Sequence, residues 1–205
     1  MRLLAIETAA ETCSVALFED DRLLDHRHER VGRGHAERLI PMIAELPERG
    51  RAAALLVDCG PGSFTGVRVG LAAARAFGLA WRASVSGYSS MTLIAATAFA
   101  SERAPDTLAV AVIGGHGEYF VQRFARQGVQ PITPLTSLKP EDAARACAGD
   151  VIAGSGGAAL RAAGATGELL AVETDARATS LLPAGLAALP PSPIYGRAPD
   201  ARLPA

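Results

Sequence analysis

The order of apolar and polar residues predicts three strands at the start of the chain and then a helix. Residues 3–6 are apolar and end at Glu7, and residues 13–18 and 22–28 follow as two more strands. Short connections between consecutive strands are typical of an antiparallel meander. Apolar residues then recur at helical spacing over residues 36–46. Pro41 lies within that stretch without a backbone N–H, so it must fall in the first turn or kink the helix.

The rest of the first half adds one strand and two helices. A strand over residues 52–57 enters a turn rich in glycine, proline and serine at residues 59–66. Helices are predicted over residues 66–82 and 89–99. The composition then becomes polar around residues 101–106, which indicates a boundary between two units.

The second half repeats the order of strands, helix, strand and helix. These elements are predicted at residues 108–113, 119–124, 140–147 and 151–153, with a glycine-rich helix start at 154–157. The repeated order predicts two units, residues 1–100 and 101–205. From Pro183 onward the chain is rich in proline, which favours an extended segment lying on the body of the protein.

Composition narrows the classes of function. Hydrophobic residues make up 49% of the chain, enough for a core, and the formal net charge is −1. A chain that binds nucleic acid alone usually has a basic excess, so tight tRNA binding by this chain alone is not expected. Three widely spaced cysteines, Cys13, Cys59 and Cys147, indicate reduced thiols. With no signal-peptide pattern and no apolar run of about 20 residues, we expect a soluble, cytoplasmic protein that does not contact a membrane.

The turn at residues 59–66 is the most informative segment. Its small residues gather backbone amides at a helix start that Ser63 or Thr65 can cap, and such a start can hold an anion. It lacks the Lys-Ser/Thr of a Walker A loop and the spacing of a dinucleotide fingerprint. A structural turn and a phosphate site both remain open here, as they do at residues 154–157. The candidate nucleotide contacts are Thr8, Gly62, Ser63, Gly154 and Gly156.

Small residues recur every four positions along the helix that follows this turn. Glycine costs about 1 kcal/mol relative to alanine inside a helix, so close packing on that face should offset the cost. Apolar residues also surround the helix, which predicts burial on more than one side, either within the chain or by another subunit. With the neighbouring helix, the candidate partner interface is Leu39, Ile43, Gly66, Gly70, Ala74 and Gly78.

The sequence offers no set of catalytic residues or metal ligands. His35 is followed one turn later by Leu39, where a zinc motif of the H-E-x-x-H type needs a second histidine. Ser155 lies in Gly-Ser-Gly rather than in a nucleophile elbow. Cys59 has no fixed histidine partner in the sequence and is more typical of a small buried residue. We therefore predict no catalytic residue, no metal site and no cofactor.

Several segments together resemble one protein family. They are AIETA and CSVAL within residues 5–17, HAERLIPMI at 35–43, GPGSFTGVRVG at 60–70, Gly-Glu-Tyr at 117–119 and IYGRAPDARLP at 194–204. In this order they resemble the TsaB (YeaZ) family of bacterial tRNA threonylcarbamoyladenosine biosynthesis proteins, which is related to the TsaD/Kae1 family. The similarity spans nearly the whole chain. Where the family often has aspartate after the first strand, this chain has Glu7.

The resemblance implies an α/β protein of the actin-like ATPase (ASKHA) fold, with two RNase H-like lobes of mixed sheet and flanking helices. It implies a non-catalytic subunit that binds and activates a TsaD-like catalytic subunit, joined by a TsaE-like ATPase. The complex transfers threonylcarbamoyl to the adenosine next to the anticodon, so the chain would meet tRNA only through it. Two helices of the first lobe would form the interface with TsaD, or a homodimer when the chain is alone.

Two other functions fit parts of the same pattern. A stand-alone ATP-dependent small-molecule kinase of this fold would grip phosphate with the loop after Glu7, but it needs further acidic residues for magnesium. A metallopeptidase would need metal ligands, and Leu39 stands where one of them is required.

Overall fold

The computed structural model describes residues 1–101 and 104–196, and these form two mixed β-sheets with helices packed on them. The first sheet has the strand order β3-β2-β1-β4-β5. Its strands are β1 (Arg2–Glu7), β2 (Thr12–Glu19), β3 (Arg22–Arg30), β4 (Ala54–Asp58) and β5 (Ser84–Tyr88). The first three pair antiparallel and confirm the predicted meander, whereas β1, β4 and β5 run parallel.

Three α-helices belong to this half of the chain: α1 (His35–Ala44), α2 (Phe64–Trp81) and α3 (Ser90–Phe99). Helices α1 and α2 contact each other and pack on the first sheet over one apolar cluster. Helix α3 packs against the second sheet, and every one of its residues except Thr97 is buried. Pro41 lies in the second turn of α1 rather than the first. The helix continues through it to Ala44, with Pro41 exposed to solvent.

The second sheet has the order β11-β10-β6-β7-β8, with β9 also paired to β7. Its strands are β6 (Thr107–Ile113), β7 (Tyr119–Ala125), β8 (Gln130–Pro131), β9 (Thr136–Leu138), β10 (Ile152–Ala153) and β11 (Leu169–Leu170). It carries α4 (Pro140–Ala146) and α5 (Gly157–Ala162). Short 3-10 helices lie at Pro47–Gly50, Gly115–Gly117, Gln127–Val129, Ala176–Leu181 and Ala184–Leu186.

The chain returns to the first sheet after β11. Ala176 N donates to Ser14 Oγ at 2.9 Å, and Leu189 exchanges two backbone hydrogen bonds of 2.7 and 2.9 Å with Gly87. The predicted segment lying on the body is confirmed as far as residue 196, and Pro199 and Pro204 are outside the described residues. The division of units at residue 100 stays a prediction. The two sheets fall on either side of it, but the 3-10 helix Ala176–Leu181 packs on strands of the first sheet as well as on α3.

The small-residue stripe of α2 packs within the chain. Gly66, Gly70, Ala74 and Gly78 are all buried. A Cβ atom on any of the three glycines would overlap the chain itself, at Thr8 for the first two and at Val85 for the last. The stripe therefore lets α2 lie directly on the strand ends and the loop after β1. The prediction that these four residues contact a partner needs correction, because their space is already filled.

Among residues 1–101 and 104–196, no helix is long and apolar enough to cross a membrane.

Replacing Ala74 by arginine should unfold the chain. Ala74 is fully buried in the first core cluster, and a guanidinium placed there would be a buried charge without a partner. The expected loss is roughly 3–5 kcal/mol of unfolding free energy. Ala72→Arg, on the exposed side of the same helix, is the matched control and should melt near the parent temperature. Equal melting curves for the two variants would contradict internal packing of the stripe.

Ser63, rather than Thr65, should cap α2. The Ser63 hydroxyl accepts from Gly66 N at 3.2 Å, whereas Thr65 is exposed within the first turn. Ser63→Ala is expected to lower the unfolding free energy by about 1 kcal/mol in urea denaturation, because it removes the cap. Thr65→Ala should stay within about 0.5 kcal/mol of the parent chain. A larger loss of unfolding free energy for Thr65→Ala than for Ser63→Ala would contradict the assignment of Ser63 as the cap.

Candidate functional site

Two carboxyl groups meet where three parallel strands end. Glu7 ends β1, Asp58 ends β4 and Tyr88 ends β5, and all three are fully buried. The Tyr88 hydroxyl donates to Glu7 Oε2 at 3.0 Å, and the Ser90 hydroxyl at the start of α3 donates to Asp58 Oδ1 at 2.7 Å. This edge of a parallel sheet is where open α/β folds place ligands. This edge of the first sheet is therefore a candidate functional site.

Backbone groups of two loops close over the pair. Ala9 N donates to Glu7 Oε1 at 2.8 Å, and Gly60 N donates to Asp58 Oδ1 at 2.5 Å. The two loops also bond each other, through Ser63 N to Ala9 O at 2.7 Å. The carboxyl groups thus organise protein backbone and are sealed from solvent, an arrangement unlike that of magnesium-binding carboxylates in a kinase.

Burial controls the charge of this network. It raises the pKa of Glu7 well above its ordinary value, and the neighbouring Asp58 raises it further. Burial also raises the pKa of Asp58, and its interactions with Glu7, Gly60 and Ser90 oppose that rise. The pKa of Tyr88 is raised chiefly by burial, so its hydroxyl stays protonated and can donate. The arrangement favours one negative charge on the pair, held by Asp58.

The structure brings together three of the candidate nucleotide contacts. Thr8 and Ser63 lie at the closed loops, where Thr8 Oγ1 donates to Gly66 O at 2.8 Å and the Ser63 hydroxyl caps α2. Gly62 lies against Ala9 so closely that a Cβ would overlap its carbonyl. These polar groups are engaged within the chain. A nucleotide contact at this loop stays a prediction and would require the loops to separate.

The other two candidates, Gly154 and Gly156, follow β10 in the second sheet. Both pack against the carbonyl of Ala111 in β6, and Gly156 N donates to that oxygen at 2.9 Å. Backbone packing accounts for small residues at both positions, and nucleotide contact there also stays a prediction.

Leu39 and Ile43, predicted to contact a partner, are instead core residues of α1. Their side chains are 0% and 1% exposed in the first core cluster. Helical periodicity placed Leu39 and Ile43 on one side of α1, and that side faces the sheet. A partner can meet α1 only through other residues.

Apolar residues also lie on the exposed sides of α1 and α2, and the predicted interface residues did not include them. Ile40 is 47%, Phe64 69% and Leu79 85% exposed. Exposed alanines lie between them at four-residue spacing, a signal that the sequence does contain. We call this surface the outer face, and it comprises Ala36, Ile40, Ala44, Phe64, Ala72, Ala76, Leu79 and Ala80.

The start of the outer face is joined to the C-terminal segment. Arg68 places its guanidinium 3.2 Å from the centre of the Phe64 ring and donates to the Tyr195 hydroxyl at 2.8 Å. Arg75 donates to Pro191 O at 2.6 Å. The segment that returns from the second sheet therefore fixes side chains next to the outer face.

The side chains considered as nucleophiles or metal ligands are buried or hydrogen-bonded within the chain. Cys59 is buried, and burial raises the pKa of its thiol to about 11, so it is protonated near neutral pH. The Ser155 hydroxyl accepts from Ile113 N at 3.2 Å, and His35 Nε2 bonds Thr12 O at 3.2 Å. Over the part of the chain that the structure describes, no three histidine, cysteine or acidic side chains cluster to hold a metal ion.

Comparison with known proteins identifies the family of this chain. The family model described as TsaD, tRNA N6-adenosine threonylcarbamoyltransferase, matches residues 28–146. A tRNA threonylcarbamoyladenosine biosynthesis protein TsaB from Escherichia coli (strain K12) is 35% identical over 131 residues, covering 62% of this chain and 56% of that protein. A TsaB from Haemophilus influenzae is 33% identical over 135 residues, covering 63% and 56%. The aligned part of the chain thus spans just over half the length of these relatives.

A solved structure extends the similarity to nearly the whole chain. YeaZ from Pseudomonas aeruginosa superposes with a TM-score of 0.80 at 27% identity, covering 95% of this chain and 99% of that one. The predicted actin-like fold with two RNase H-like lobes is confirmed by this match together with the two mixed sheets. The chain therefore belongs to the TsaD family of tRNA N6-adenosine threonylcarbamoyltransferases, among its TsaB (YeaZ) members.

Proposed function

We propose that this chain is an accessory, non-catalytic subunit of the machinery that makes threonylcarbamoyladenosine in tRNA. It binds a TsaD-like catalytic subunit through the outer face and supports that subunit in transferring threonylcarbamoyl to the adenosine next to the anticodon. A TsaE-like ATPase joins the assembly. The proposal draws on the family match, the TsaB relatives and the exposed surface of α1 and α2.

The outer face is the observation that carries the partner-binding role. Leu79 and Phe64 expose most of their side chains, and Ile40 exposes about half. Several large apolar residues exposed on neighbouring helices are typical of protein interaction sites. The alanines between these large residues allow a partner helix to approach closely, because they add little bulk along the contact ridge. A related subunit, or a second copy of this chain when it is alone, would present helices of matching shape.

The buried carboxyl network supports the accessory role. A phosphoryl-transfer enzyme needs carboxylates that can reach magnesium and substrate. Here Glu7 and Asp58 are fully buried and bonded to backbone amides and to Tyr88 and Ser90. This favours the subunit role over the stand-alone kinase. The net charge of −1 supports tRNA contact through the complex rather than by this chain alone.

Leu79→Glu should prevent association without unfolding the chain. The side chain is 85% exposed, so the free protein should melt normally, but a partner would bury the new carboxylate without compensation. Sedimentation or calorimetry with the TsaD-like protein of the same organism should show at least about 30-fold weaker binding, equivalent to about 2 kcal/mol.

The matched control is Ile132→Glu, an exposed apolar position next to the second sheet that is 49% exposed. It should bind the partner as the parent chain does. If Leu79→Glu binds like the parent, the outer face is not the interface. Self-association lost alongside partner binding would show that homodimer and complex use the same surface.

A further inference from the structure

We infer that Glu7 and Asp58 hold a single proton between them, and that this shared proton is a latch that keeps residues 8–11 closed on residues 59–63. The inference concerns the conformation of the first lobe and does not depend on the identity of any partner. It rests on the arrangement of donors and acceptors around two carboxyl groups, neither of which is exposed to solvent.

One buried carboxylate oxygen of the pair has no hydrogen-bond donor unless the pair carries a proton. Asp58 Oδ1 accepts from Gly60 N and from the Ser90 hydroxyl. Asp58 Oδ2 is buried, and within residues 1–101 and 104–196 it has no hydrogen-bond partner. Glu7 and Asp58 directly follow Ile6 and Val57, which pair in the parallel register of β1 and β4, so the two acids end neighbouring strands at the same level. A neutral Glu7 carboxylic acid supplies the missing donor, since its O–H can point at Oδ2.

Glu7 is suited to carry that proton. Its two oxygens accept one bond each, from Ala9 N at 2.8 Å and the Tyr88 hydroxyl at 3.0 Å, and a carboxylic acid can accept both bonds while it donates a third. Asp58 receives shorter bonds from Gly60 and Ser90, at 2.5 and 2.7 Å, which favour its charged form. Two adjacent carboxylates, both ionised in a dry site, would repel strongly.

Among the described residues, no basic side chain is paired with Glu7 or Asp58. The titratable groups that interact with the pair include Tyr88 from β5, Cys13 from β2 and Cys59 after β4. Each becomes negative when it loses its proton, and burial raises the pKa of each. Helix α3 contributes Ser90, which does not titrate. A second negative charge could therefore be relieved only by admitting water, and that requires the loops over the pair to separate.

The latch connects to the rest of the lobe through the loops themselves. Ala9 and Gly60, whose amides bond the pair, belong to the two loops joined by the bond from Ser63 N to Ala9 O. Ser63 caps α2, and Phe64 begins that helix. The proton thus holds the start of α2 against the end of β1, and its loss should free this corner while the remote strands stay paired.

The sign of the pH dependence follows from the raised pKa of Glu7. In the unfolded chain Glu7 ionises near pH 4.3. Above that pH the unfolded chain releases the proton while the folded chain retains it. The stabilisation is complete below about pH 4.3 and declines as the pH rises towards the folded-state pKa, with the unfolding constant rising up to about tenfold per pH unit.

Glu7→Gln tests the latch, because the amide can still donate to Asp58 but cannot ionise. Unfolding constants from urea denaturation would be compared between pH 5 and pH 8 for the parent chain, Glu7→Gln and Glu37→Gln, an exposed glutamate on α1. The ratio of the parent constant to that of Glu7→Gln should rise about tenfold per pH unit over at least part of this range. Glu37→Gln should parallel the parent. Parallel curves for all three proteins would overturn the inference.

Two further readouts keep the test decisive if Glu7→Gln folds poorly. The parent protein should show the infrared carbonyl band of a protonated carboxylic acid at pH 7, and its absence would overturn the shared proton. Hydrogen exchange at the Ala9 and Gly60 amides, corrected for intrinsic rates, should accelerate with pH in the parent relative to the amides of β2. Corrected rates that do not change with pH would overturn the latch.

Discussion

The close approach of α2 to the ends of β1 and β4 is the constraint on which the first lobe depends. At Gly66 and Gly70 there is no room for a Cβ, because Thr8 occupies the space. The Thr8 hydroxyl uses that proximity to bond Gly66 O at 2.8 Å. Glycine inside a helix costs about 1 kcal/mol relative to alanine. The dense packing that these small residues allow offsets that cost. The corner that results contains the buried carboxyl pair and the loops that cover it.

This packing also determines which residues are left for other molecules. With Gly70, Ala74 and Gly78 turned to the sheet, the opposite side of α2 presents Ala76 and Leu79 to solvent. Helix α1 divides in the same way, and the C-terminal segment reaches back to hold Arg68 and Arg75. The fold thereby buries the carboxyl pair at the strand ends and leaves apolar residues of α1 and α2 exposed. Such a division suits a subunit that acts by binding another protein.

Much of the architecture follows from local pattern, and the errors have identifiable physical causes. The meander, the turn at residues 59–66 and the long α2 were predictable because apolar period and turn residues agree there. Strand β5 was missed because Ser84, Ser86 and Gly87 break its apolar run, although parallel pairing with β4 stabilises it.

The sequence could not predict what the small residues of α2 pack against. The spacing of small residues along a helix does not show whether a sheet or a partner protein fills the space beside them. The role of Glu7 was equally hidden, because its neighbour Asp58 is 51 positions away and only the sheet brings them together.

The central claim is that the chain contributes to threonylcarbamoyl transfer as a partner and has no transferase activity of its own. The most direct measurement is the rate of threonylcarbamoyladenosine formation in unmodified tRNA, with threonylcarbamoyl adenylate supplied and with the TsaD-like and TsaE-like proteins of the same organism. The account predicts no product from this chain alone and a large gain in rate when it joins the other two. Product formed by the chain alone, or a rate unchanged by its omission, would contradict the account.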